Sequence, residues 1–341
     1  MSTKILRLPL VQKLMAVEAG LTTRKTISQG ACLVFRRGRV YTYNDEVACS
    51  LETGLPATVD GAVESSVLVG ALKLIPEEMI DFFVQDHIIH IQSQRKKTQI
   101  PMEANVELPI DSVEKASGWQ RLDPGFLEAV SMASKCTAKG RIADSEFLKT
   151  TVHITPDWIE SSDNVQCFRF NLPTFVKKNV VVRSSSIREI LPLGLTHGSE
   201  TANWLHFWNP MRLRVSVRKY DEDAYPPLEE IFQIRGTKVS FPKGLADSIV
   251  RASVVLDGDK DGSDTILISA EKGLLRIEGR GIRGVHEETK EMSYDGEPFK
   301  FAIPPKLLQQ IVEGCNECEV TEVSIRVDGG SYIYTAQLEV V

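Results

Sequence analysis

Residues 123–136, DPGFLEAVSMASKC, decide how the rest of the chain is read. Asp123 is expected as a helix cap and Pro124 as the first helical residue. A capping carboxylate accepts backbone N–H groups that have no partner, and the fixed φ of proline suits the first turn. The helix this predicts is short, and the segment after it alternates. TTVHITPDWIESSDNVQCFRFNL, residues 150–172, reads as strands joined by turns.

Working outward, five more short segments break the alternation, at 8–20, 65–75, 184–193, 241–256 and 304–315. Leu10, Leu14 and Val17 recur at helical spacing in the first. Val67, Leu68, Ala71, Leu72 and Ile75 do so in the second. The six helices fall into pairs. The first members align on Leu10, Phe126 and Leu245, 116 and 119 residues apart. The second members align on Leu68, Ile187 and Leu307, 119 and 120 apart. Between them lie GRVYTYND, PDWIESSD and KGLLRIEG, closed by Asp45, Asp163 and Gly279. A period this long predicts tandem domains rather than a solenoid of short repeats. The expected fold is α+β, with three domains at 1–113, 114–232 and 233–341. Each has two short helices packed on antiparallel sheets.

The chain has 341 residues, 42% of them hydrophobic, which suffices for two or three cored domains. With 40 basic and 46 acidic side chains its net charge is −6. That excludes a protein coated in positive charge but leaves room for one basic face. Cysteines at 32, 49, 136, 167, 315 and 318 are too scattered for a disulfide framework, which implies a reducing compartment. Gln12, Lys13 and Glu18 interrupt the apolar N-terminal run, so it reads as an amphipathic helix and not a signal peptide. No run reaches membrane-spanning length. A soluble, cytoplasmic protein with no membrane partner is expected.

Several motifs look chemical and are read otherwise. Asp257, Asp259, Asp261 and Gly262 open like a calcium loop, but the twelfth position is Ile268 and not a glutamate. A sharp acidic turn is expected there. Gly279, Gly281 and Gly284 form a G-x-G-x-x-G, but a dinucleotide loop must open a helix. VHEETKEMSY comes next instead and alternates. Cys315 and Cys318 have no second pair to complete a zinc site. His87 and His90 alternate on an expected strand. No nucleophile, histidine and carboxylate recur in a recognisable order. No cofactor, no metal and no catalysis are therefore expected.

The repeat layout resembles a bacterial-type DNA sliding clamp, the DNA polymerase III beta subunit family. The likeness is most specific at residues 63–102 and 273–315, and in AYPPLEEIF at 224–232. It implies half of a ring: a head-to-tail homodimer whose helices line a hole around double-stranded DNA. It implies two further partners, a DNA polymerase tethered by the ring and a clamp loader that opens it. Such a protein is no enzyme, and sequence-independent phosphate contacts suit it, because base-specific contacts would stop it sliding. The phosphate contacts implied are Lys13, Arg24, Lys25, Lys73, Lys135, Lys139, Arg141, Arg183, Arg188, Lys243, Arg251 and Lys306. A pocket for partner peptides is implied at Leu148, Ser162, Asn164, Val165, Gln166, Cys167, Pro226, Ile231, Thr335, Ala336, Gln337 and Leu338. The family usually carries Thr-Asp-Gly-His-Arg-Leu in that loop and Met-Pro near the end. The departure implies specialised partners, as in a phage or plasmid replisome. Two other readings remain open: a non-replicative assembly protein of repeated β domains, and a metal-dependent enzyme using the acidic turn or the cysteine pair.

Overall fold

The computed structural model describes residues 3–24, 26–138, 144–220, 225–256, 264–315 and 317–338. The elements recur three times in one order: a strand, a helix, four strands, a helix, three strands. The first series is β1 (Thr3–Leu6), α1 (Arg7–Ala16), β2 (Cys32–Arg36), β3 (Arg39–Tyr43), β4 (Val47–Glu52), β5 (Gly61–Glu64), α2 (Ser65–Leu74), β6 (Met79–Gln85), β7 (Ile88–Ser93) and β8 (Lys96–Pro101). The second is β9 (Gln120–Arg121), α3 (Phe126–Lys135), β10 (Thr151–Ile154), β11 (Trp158–Ser162), β12 (Gln166–Asn171), β13 (Val180–Arg183), α4 (Ser184–Ile190), β14 (His197–Glu200), β15 (Trp204–Trp208) and β16 (Arg214–Tyr220). A one-turn helix, α5 (Glu229–Phe232), precedes the third. That series is β17 (Thr237–Ser240), α6 (Leu245–Ser253), β18 (Ile266–Glu271), β19 (Leu274–Gly281), β20 (Gly284–Glu291), β21 (Phe299–Ile303), α7 (Pro305–Gly314), β22 (Glu317–Val320), β23 (Ser324–Asp328) and β24 (Tyr332–Gln337).

The chain divides into two compact units, residues 1–122 with 188–220, and residues 123–187 with 221–341. The first holds an antiparallel sheet in the order β9-β14-β15-β16-β4-β3-β2-β5. The second holds its counterpart, β17-β22-β23-β24-β12-β11-β10-β13. Each is two half-sheets joined edge to edge. The joint is β16 on β4 in one and β24 on β12 in the other, the last strand of one series against the third β-strand after the first helix of the series before. Two half-sheets are left over. β1-β6-β7-β8 stands in the first unit and β20-β19-β18-β21 in the second.

The helices form because each has one apolar stripe to bury. Helices of ten residues are marginal alone in water and gain their stability from packing. α1 buries Leu10, Val11 and Leu14, and packs on α2, which buries Leu68, Val69 and Leu72. α3 lays Phe126, Ala129, Val130, Met132 and Ala133 on β10, β11 and β12. α6 and α7 pack on each other through Leu245, Ile249, Leu307, Leu308 and Ile311. Each of the Leu, Ile, Val, Phe and Met side chains contributes about 1.5–3 kcal/mol when fully buried. No helix among the described residues is long and apolar enough to cross a membrane.

Three local expectations are corrected. Helix α3 starts at Phe126, and Asp123 does not cap it. The Asp123 carboxylate accepts the Gly125 N–H at 2.8 Å, in a turn that precedes the helix. His87 is not on a strand. Asp86 and His87 both have positive φ, 50° and 58°, and make the tight turn between β6 and β7. His90 is on β7, stacked on Phe83 at 4.7 Å. Gly279 does not close its unit. It sits inside β19, opposite Ile266 and His286, and the G-x-G-x-x-G belongs to the β19–β20 hairpin.

Gly279 is needed for a different reason. A Cβ there would stand 2.0 Å from the Ala252 carbonyl oxygen, so α6 lies directly on the bare backbone of β19. Gly279→Ala is expected to lower unfolding stability by about 1–3 kcal/mol, the usual range for overpacking. Urea unfolding compared with the wild type measures it. An unchanged midpoint would mean that the helix does not press on the strand.

Candidate nucleic-acid interface and partner pocket

Once a helix has buried its stripe, its outer face is what remains for a ligand. On α1 and α2 that face carries Leu8, Met15, Val67 and Leu74 as exposed apolar residues, with Lys73 among them. On α6 it carries Val250 beside Asp247 and Arg251. The cations are sparse, and several are already engaged.

Lys13 is half-buried and donates to the Thr53 carbonyl at 3.0 Å. Lys135, near the C-terminal end of α3, donates to Gln310 Oε1 on α7. Arg183 ends β13 with its guanidinium 4.5 Å from the centre of the Phe147 ring. Arg188 is half-buried on α4. Arg251 donates to Glu288 at 2.8 and 2.9 Å, and to Ser248 at 3.1 Å. Those hydrogen bonds pull the Glu288 carboxyl down to about 2. Arg24, Lys73, Lys243 and Lys306 are exposed and make no ion pair among the described residues. Lys25, Lys139 and Arg141 lie outside the described residues, as does the acidic turn at 257–262.

Lys135 and Lys306 are brought together. Burial pushes the Lys135 ammonium down to about 8, and the neighbouring charge of Lys306 adds to the effect. This pair comes from a first helix and a second helix far apart in sequence, so no local signal announces it.

The expected peptide pocket falls within the second unit. In the β12–β24 ladder, Gln166 faces Ala336 and Cys167 faces Thr335. The turn before β12 is built by Asp163, whose carboxylate accepts the N–H groups of Val165 and Gln166 at 2.9 and 2.8 Å. Asn164 takes a positive φ of 76° there. The Val165 carbonyl accepts the Gln337 N–H, and Leu338 donates its own to Val323. Cys167 packs with Leu228 and Phe232, with Tyr225, Ile231 and Ile333 around them. Leu148 is half-buried ahead of β10 and Pro226 is exposed ahead of α5; neither joins that cluster among the described residues. Ser162, Gln166, Cys167, Thr335, Ala336 and Leu338 are buried, whereas Asn164, Val165, Pro226 and Gln337 are exposed.

Sequence reasoning missed what anchors the segment 225–232. Arg169 on β12 donates to Glu160 at 2.7 Å and to Glu229 at 2.9 Å. Its guanidinium lies 4.7 Å from the Trp158 ring centre and 4.8 Å from that of Phe232. Glu160 also pairs with His153 at 2.7 Å, and His153 packs on the Tyr225 ring. On the next strands, buried Arg326 donates to the Phe232 carbonyl at 2.9 Å. The alternation on β10–β12 is visible in the sequence, but the pairing of an inward Glu160 with Arg169 depends on register across a hairpin.

No family model matches this chain, and no curated protein does. Solved structures do. It is similar to the DNA polymerase III subunit beta of Pseudomonas aeruginosa, at TM-score 0.73 and 16% identity over 100% of both chains. It is similar to pol III beta of Caulobacter crescentus, at 0.74 and 14% over 100% of both. The beta chain of Streptococcus pneumoniae TIGR4 gives 0.74 and 15% over 99% of both. The chain has the α+β fold of these proteins along its whole length.

The Lys135 geometry has a pH consequence. Its folded value, about 8, is below the ordinary 10.5, so between those values the unfolded chain binds more protons. Stability therefore rises with pH through that window. Urea unfolding of wild type and Lys135→Met in parallel is expected to show the wild type gaining on the variant from pH 8 to 10.5. Parallel curves would mean that Lys135 titrates normally.

Proposed function

We propose that this chain is a DNA sliding clamp: a processivity factor that closes around duplex DNA as a head-to-tail homodimer and tethers a polymerase. Each protomer supplies three domains, bounded near residues 113 and 232, and a clamp loader opens the ring. The clamp performs no chemistry and works in the cytoplasm.

One observation carries this reading. Inside the chain, a half-sheet of the β1-β6-β7-β8 kind is always completed by one of the β20-β19-β18-β21 kind, except at the two that are left over. β8 corresponds to β16 and β24; β20 corresponds to β4 and β12. The missing joint is β8 of one copy on β20 of the next. An open edge of this length invites pairing, and a repeated head-to-tail contact closes a ring when its angle allows. The charges agree. β8 carries Lys96 and Lys97 and no acid, while β20 carries Glu287, Glu288 and Glu291 against Lys290 and His286.

The sparse cations on the helices fit a protein held by enclosure. A few weak phosphate contacts from Arg24, Lys73, Lys243, Lys306 and Lys135 permit sliding, and more would slow it. For partners, the exposed Val165 and Gln337, joined by a backbone hydrogen bond, offer the surface on which an apolar peptide would dock. With Asn164-Val165-Gln166 in place of the usual loop residues, this clamp would favour its own set of peptides.

Two measurements test the proposal. Native mass should be twice that of one chain. Glu287→Lys with Glu291→Lys should shift it to monomer, and adding Lys97→Glu with Lys96→Glu should restore the dimer. A monomeric wild type would defeat the assembly. Separately, protein loaded on nicked circular DNA by a cognate loader should be retained, and lost when the circle is cut; equal retention on linear DNA would exclude encirclement.

A further inference from the structure

Four strand ends meet at one end of the larger sheet in the first unit. β3 begins there with Arg39, β4 ends with Glu52, β15 ends with Trp208 and β16 begins with Arg214. Arg214 faces Trp208 on one side and Ser50 on the other, so these side chains share a sheet face. Arg39 reaches the same face, donating to Ser50 Oγ at 3.3 Å. The turn from β15 to β16 adds Arg212, at φ 62°, held by Asn209, whose side chain accepts the N–H groups of Met211 and Leu213. Trp119 completes the group, its ring edge-on to Trp208 with centroids 6.3 Å apart. Arg39, Glu52, Trp119, Trp208, Arg212 and Arg214 line a cleft of about 290 Å³.

The cleft has an unbalanced charge. Glu52 pairs with Arg39 at 3.0 Å and lies 3.9 Å from Arg212. Arg214 is exposed and makes no ion pair among the described residues. Three guanidinium groups therefore face one carboxylate. Trp208 is half-buried, with the His197 ring 4.7 Å from its own and Trp119 edge-on to it.

We propose that this cleft binds single-stranded nucleic acid, with a base against the indoles and its phosphates on Arg212 and Arg214. Arginines alone would suit any anion. Two indoles add a surface for a flat ring, and a single strand offers a flat ring and an anion at every step. A duplex does not fit the same chemistry, because its bases are stacked inside and present only edges. The cleft is near the lower end of small-ligand sites, about 300 Å³, which suits one nucleotide of a strand passing over it. This goes beyond the clamp reading, which assigns duplex DNA to the helices and nothing to this sheet end.

Anisotropy of a fluorescently labelled thymidine oligonucleotide, titrated with the full chain at low salt, tests it. Arg212→Ala with Arg214→Ala is expected to weaken binding at least tenfold. The same double variant should flatten the slope of log affinity against log salt by about 1.4, two phosphates on a single strand. Trp119→Ala should weaken binding about tenfold. Lys272→Ala, at a surface lysine in the turn after β18 that pairs with Glu271 at 2.7 Å, should leave it unchanged, which separates this site from surface charge in general. Unfolding midpoints matching the wild type establish that the variants are folded. Unchanged affinity in the arginine pair would overturn the proposal. So would equal binding of an abasic strand, or displacement by an acidic peptide as effective as unlabelled oligonucleotide, which would assign the cleft to a protein partner.

Discussion

The structure depends on one kind of backbone ladder: the last strand of one repeat hydrogen-bonded to the middle of the preceding one. It appears twice, as β16 on β4 and β24 on β12. Each joined four-stranded half has one of its two edges covered by its neighbour. The ladder also explains why the compact units do not follow the repeats. A sheet shared by two repeats holds parts of both together more tightly than either repeat holds itself. The left-over halves, one from the first series and one from the third, are the same arithmetic seen from outside.

The helices play a secondary part in stability and a larger one in surface character. Each contributes one apolar stripe, and its remaining face is mixed. Leu74 is 85% exposed, next to Lys73. A strongly basic stripe of the kind that gives tight nucleic-acid binding is not present among the described residues. Arg251 and Lys13 are tied to their own protein, and Lys135 is partly withdrawn from charge. Such a face would hold an anionic ligand only weakly by charge. The same scarcity makes the Arg39–Arg212–Arg214 group on the sheet stand out.

Much of the fold is legible in the sequence, because the signals are local. All six expected helices are present, since each is a continuous run with apolar residues at helical spacing. The alternation in VHEETKEMSY identifies β20 and rules against a dinucleotide loop. The illegible features depend on pairing across distance. Gly279 reads as a turn residue; only the packing of α6 on β19 reveals a close approach there. The engagement of Arg251 by Glu288 bridges a helix and a strand 37 residues apart, so in sequence it reads as a surface cation. Cys167 and Thr335, expected in a partner pocket, are placed together by resemblance, yet their burial follows from a ladder that no single segment displays.

The Arg169 cluster limits how this chain can drift over evolutionary time. Glu160 and His153 are buried, and Arg169 joins them to Glu229 across two aromatic rings. Losing one partner of a buried pair strands the other at a cost of about 3–5 kcal/mol. Positions 153, 160 and 169 are therefore expected to be inherited as a block, replaced jointly or left alone.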